Sequence, residues 1–90
     1  MKFRVVRIDA WRNPDGTWWY NDRHTVGYLE INGYPTPRKI FKAARAEGFL
    51  SGESIYSVDS YLEFDGIWTI KSKNTDEPLF DLEELDNERD

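Results

Sequence analysis

The chain has 90 residues, with 12 Lys and Arg against 17 Asp and Glu, for a net charge of −5. That length makes one domain with a thin core, and the absence of cysteine excludes disulfides and thiolate metal sites. No apolar run approaches the roughly 20 residues of a membrane span, and the charged start Met1-Lys2-Phe3-Arg4 lacks the apolar stretch of a signal peptide, so a cytoplasmic protein with no membrane partner is expected.

Lys2 to Arg12 is rich in β-branched and aromatic residues and reads as a strand. Asn13-Pro14-Asp15-Gly16 is a turn, with Pro fitted to its second position and Gly to a left-handed one. Trp18-Trp19-Tyr20 begins the return strand, the polar run Asn21-Asp22-Arg23-His24 predicts a second turn, and Thr25 to Ile31 a third strand. Asn32 to Pro35 then breaks the pattern, and Thr36-Pro37 supplies a capping hydroxyl and a first-turn proline. A helix over 37–47 follows, stopped by Gly48. At helical spacing Ile40, Phe41 and Ala44 fall on one side and Arg38, Lys42 and Arg45 on the other, with Lys39 at the margin.

Phe49 and Leu50 are expected to enter the core, followed by a loop at 51–53, a strand over 54–64 and a turn at Asp65-Gly66. Ile67 to Lys73 reads as a strand, and after a turn at 74–78 Leu79 to Glu83 pairs back on it. A short helix over 78–86 is the rival, because Leu79, Leu82 and Leu85 are spaced by three. Residues 86–90 are too polar to pack and predict a frayed acidic tail beyond a domain of residues 1–85. The expected fold is α+β: an antiparallel sheet made of a three-stranded N-terminal meander and a C-terminal hairpin, with one amphipathic helix across one face.

No nucleophile elbow, phosphate loop, metalloprotease pair, calcium loop or dinucleotide fingerprint is present. His24, the one histidine, falls in the expected second turn, and the carboxylates of Asp9 and Asp22 are linked by no spacing that would pair them. Neither catalysis, a metal nor a cofactor is expected. The aromatic residues say more. Neighbours on a strand point to opposite faces, so Trp18 and Tyr20 oppose Trp19. One helix shelters one face, so either the second half of the chain covers the other or some of Trp11, Trp18, Trp19, Tyr20, Tyr28 and Tyr34 are exposed. An exposed patch built on Trp18 or Trp19 with Tyr34 nearby has the composition of a binding hot spot.

Charge is divided along the chain: residues 1–45 hold nine Lys and Arg and four acids, and residues 46–90 hold three and thirteen. The halves either neutralise each other in the fold or leave a basic helix face and an acidic end for partners. The stripe Arg38, Lys42 and Arg45 suits phosphates or an acidic partner, although the overall acidity runs against a nucleic-acid binder.

The segments Arg7-Ile8-Asp9-Ala10-Trp11, Trp18-Trp19-Tyr20-Asn21, Thr36-Pro37-Arg38 through Gly48-Phe49-Leu50, and Glu77-Pro78-Leu79-Phe80 resemble short proteins encoded by bacteriophages and mobile elements. The resemblance spans most of the chain and assigns a role to no residue. It implies an accessory protein that acts by binding a host enzyme, a defence complex or nucleic acid.

The expected function is therefore a non-enzymatic protein-binding inhibitor or regulator, with Trp18, Trp19, Tyr34, Arg38, Lys42 and Arg45 as contact residues. The alternatives are a single-stranded nucleic-acid binder using the helix stripe and aromatics, and a small enzyme of undefined chemistry. The edges of a small sheet also allow a homodimer.

Overall fold

The computed structural model of the chain describes residues 1–51, 56–60 and 67–85. Among them run β1 (Lys2–Arg12), β2 (Trp18–Glu30), α1 (Pro37–Ala46), β3 (Tyr56–Ser60), β4 (Ile67–Ser72) and β5 (Pro78–Glu84). The strands form one antiparallel sheet in the order β2-β1-β5-β4-β3, with the helix on one face. The α+β class is as expected, and 78–84 is strand rather than the rival helix.

The arrangement of strands differs from expectation. The N-terminal part is a two-stranded hairpin and the meander lies at the other end, where β3, β4 and β5 follow one another. No turn interrupts residues 21–24: they are the middle of β2, with Asp22, Arg23 and His24 paired to β1. Two register shifts, between Val5 and Val6 and between Asp9 and Ala10, leave one extra β2 residue each, Val26 and Asn21. Such bulges keep the pairing while increasing the twist. A polar stretch on an edge strand is solvated from both faces, which is why its composition imitates a turn. β5 is the second departure: besides pairing with β4 it lies beside β1, from Phe3↔Glu84 to Arg7↔Phe80.

The helix follows its signals. Thr36 Oγ1 accepts from the Lys39 N–H at 3.4 Å, Pro37 opens the first turn, and Gly48 follows the last at φ +84°. Ile40 and Ala44 are buried against Phe3 and Val5 of β1, Leu29, Ile70 and Leu82, with Phe41 half-buried beside Tyr56. Leu50 joins this core and Phe49 packs next to Phe80, as expected.

On the opposite face two arginines of the basic first half meet acids of the second. Arg4 of β1 lies 3.5 Å from Glu83, and Arg23 of β2 lies 2.6 Å from Asp81 and 3.0 Å from Glu83 on β5. Val6 and Ile8, which alternate with the helix-facing Val5, are buried there too. The expected turn at Asp65-Gly66, the flanks of the 54–64 strand and the tail at 86–90 lie outside the described residues. No helix among the described residues is long and apolar enough to cross a membrane.

Candidate functional site

Strand β1 has β5 beside it only from Phe3 to Arg7. Beyond that point β2 alone accompanies it, so residues 9–12 and 18–22 form a two-stranded arm projecting about 13 Å at the usual rise per residue. Its tip is closed tightly. Asn13 N–H donates to Thr17 O at 2.8 Å, Gly16 takes a φ of +91°, and Asp15 Oδ1 accepts from the Thr17 N–H at 2.9 Å and its hydroxyl at 2.7 Å. The hydrogen bonds from the Thr17 hydroxyl and amide hold the Asp15 carboxyl below its ordinary pKa. A donated bond of 3.2 Å from Arg12 Nη1 to the Thr75 carbonyl braces the arm against the β4–β5 turn.

Trp11 and Trp19 are directly opposed across the arm, on one face, with 59% and 58% of their surface in solvent. Trp18, on the other face, is half-buried beneath Arg12, whose guanidinium carbon lies 5.1 Å from the ring centroid. Tyr20 shares that second face and is exposed. The opposition of Trp18 and Tyr20 to Trp19 follows from alternation; the partner of Trp19 is Trp11, which only the strand register identifies.

Two residues inward, Asp9 lies directly across from Asp22. The register thus joins two carboxylates that sequence spacing does not. Each has a weak partner: Asn21 Nδ2 donates to Asp9 Oδ2 at 3.4 Å, and His24 Nδ1 lies 3.4 Å from Asp22 Oδ2. His24 therefore stands in a strand, not in a turn. Asp9, Asp22 and His24, with Arg7, Tyr56 and Glu77, border a cleft of about 580 Å³. No three His, Asp or Glu residues among those described are grouped to hold a metal ion.

The remaining expected contact residues lie elsewhere. Tyr34 is 70% exposed in the loop after β2. Trp19 to Glu30 spans on the order of 35 Å of strand, and the four further residues to Tyr34 are too few to return, so Tyr34 and Trp19 do not form one patch. Tyr34 sits instead at the entry to α1, whose outer face exposes Arg38, Lys42 and Arg45. None of these three forms an ion pair among the described residues, and Arg45 lies 5.9 Å over the Phe41 ring.

Compared with protein-family models, with curated proteins and with solved structures, the chain matches none.

Proposed function

We propose that the chain is a non-enzymatic protein-binding module, an inhibitor or regulator of a larger partner, and that the β1–β2 arm is its contact surface. The observation that carries this reading is the cross-strand pair of Trp11 and Trp19, more than half exposed on a projecting ribbon. An indole in water contributes little to this fold, whereas a pair of rigid indoles offers a large desolvation gain to a partner at small entropic cost. Asp9 and Asp22 lie beside the pair on the same ribbon and give the patch a polar border suited to a basic rim on the partner. In the phage setting that the sequence resemblance implies, the partner is a host factor.

The test is affinity capture with wild type and with Trp11→Ala/Trp19→Ala, each checked for its circular dichroism spectrum. A stoichiometric partner held by wild type and lost by the folded double variant supports the reading; an arm variant that holds the same partner equally well refutes it.

A second reading has its own observation in the stripe of Arg38, Lys42 and Arg45, which has no ion pair among the described residues, beside the exposed Tyr34. These residues suit a single-stranded nucleic acid, whose phosphates follow the cations while a base stacks on Tyr34. Fluorescence anisotropy with labelled oligonucleotides at about 50 mM salt decides it, because phosphate contacts are strongest when salt is low. No binding there removes the nucleic-acid reading.

A further inference from the structure

The order of the sheet leaves the outer edge of β2 without a neighbouring strand among the described residues. Which of its backbone groups face outward follows from its last pairs. The Met1 ammonium donates to Ile31 O at 2.6 Å and Ile31 N–H donates to Met1 O at 2.8 Å, so these two residues exchange both bonds. In an antiparallel ladder bonded and non-bonded pairs alternate. The pairs Lys2↔Glu30 and Arg4↔Tyr28 are therefore of the non-bonded kind. Lys2 confirms this, since its carbonyl turns away from β2 to accept from Leu85 N–H at 2.9 Å. The N–H and C=O of both Tyr28 and Glu30 consequently point out of the sheet, and none has a backbone partner among the described residues.

A cleft of about 630 Å³ reaches this end of β2, bordered by the apolar Tyr28, Leu29, Ala43, Ala46 and Leu85 and by the charged Lys2, Glu30 and Glu47. On α1 the flank turned toward β2 carries Ala43 and Ala46, whose short side chains leave the space between helix and edge unfilled. A row of outward backbone donors and acceptors next to a groove with apolar walls at Leu29, Ala43 and Ala46 is what an extended peptide needs to add itself as a further strand.

We propose that this edge is a second binding site, separate from the arm, for a short extended peptide segment of a partner protein. The peptide pairs with Tyr28 and Glu30 through its backbone. Its residue level with Leu29 places an apolar side chain between Leu29 and the two alanines. Its neighbouring residues lie on the opposite face beside the exposed Tyr28 ring, where β-branched or aromatic side chains pack best. The occupant is a short segment rather than a second copy because the regular stretch of edge runs only from Gly27 to Glu30, between the bulge at Val26 and the end of the strand. The two bulges twist the rest of β2 away from flat edge-to-edge pairing.

Selection of a randomised displayed hexapeptide library on the full chain tests the site. Glu30→Pro removes one outward donor and no bond to β1, a position where an edge strand tolerates proline. Ala46→Trp, at an exposed position, fills the groove and leaves the core untouched. Enriched peptides should share one apolar position. They should bind both variants at least about tenfold more weakly, the worth of one or two hydrogen bonds, and bind Trp11→Ala/Trp19→Ala as they bind wild type. N-methylation of alternate peptide amides should abolish binding in one phase and leave it intact in the other. The proposal is overturned if nothing is enriched, if enriched peptides ignore both variants, or if both methylation phases act alike. A wild-type dimer that Glu30→Pro converts to monomer would assign the edge to a second copy and overturn it equally.

Discussion

The guanidinium of Arg23 lies 2.6 Å from the carboxylate of Asp81, joining β2 to β5 across the intervening β1. Arg23 is opposite Ile8 and Asp81 opposite Val6, so the arginine stem crosses the part of β1 where those two apolar side chains are buried. Asp81 also accepts the Thr69 hydroxyl at 2.6 Å, and Glu83 takes the same Arg23 nitrogen at 3.0 Å. Burial disfavours the Arg23 charge, and the hydrogen bonds it donates to Asp81 and Glu83, with the attraction of their charges, more than offset it, so its pKa is raised.

Arg23→Met keeps most of the stem and removes the charge, leaving the Asp81 carboxylate, only 5% exposed, with the Thr69 hydroxyl. The expected loss in chemical denaturation is about 1–2 kcal/mol. That is below the roughly 3–5 kcal/mol of breaking a wholly buried pair, because 39% of the Arg23 side chain is in solvent.

Gly27 is held by space rather than by backbone conformation. A Cβ there would stand 2.7 Å from Cζ of Phe49. Gly27→Ala should destabilise the chain by about 1–3 kcal/mol, the usual range for overpacking, and Phe49→Leu in the same chain should recover part of that loss. Thermal melts of the two single variants and the double variant measure the coupling.

Replacing Trp11 or Trp19 by Ala should cost no more than about 1 kcal/mol, the worth of a cross-strand pair. Phe3→Ala, at a fully buried position of the core, should cost about 3–5 kcal/mol. Urea unfolding of the three variants separates side chains that hold the fold from side chains that the fold displays.

The Asp15 carboxyl, held low by its bonds to Thr17, contributes to the tip of the arm at neutral pH. Its folded pKa is below its unfolded value, so the contribution is complete above the unfolded pKa and disappears as the pH falls through the folded one. The Thr17 amide resonance should therefore titrate with a midpoint below 3.8, the unperturbed value for Asp15. In Asp15→Asn it should not move over that range.

Local signals in the sequence predict local structure well here. Thr36, Pro37 and Gly48 bound the helix, Asn13 to Gly16 closes the hairpin, and the alternation of Trp18, Trp19 and Tyr20 separates the two faces of the arm. Pairing between distant segments is what composition does not carry. That Trp11 meets Trp19 is set by the hairpin register counted from the turn, and that Asp9 meets Asp22 depends further on a one-residue bulge at Asn21, which no residue type announces. The insertion of β5 beside β1 is equally non-local, and it decides both where the arm begins and where Arg4 and Arg23 find their acids. The candidate site was legible as an aromatic cluster; its true pair follows from the register of β1 on β2, and the separation of Tyr34 from it from the length of β2.

Site-specific photo-crosslinking tests the arm as the contact surface most directly. A benzophenone amino acid placed at Trp19, and in a second chain at Lys42, is irradiated in extracts of cells that make the protein. The adducts are then identified by mass spectrometry. The account predicts one dominant protein adduct from position 19, abolished by Trp11→Ala, and none of comparable yield from position 42. Adducts that form at position 42 and not at position 19, whether with protein or with nucleic acid, would contradict it.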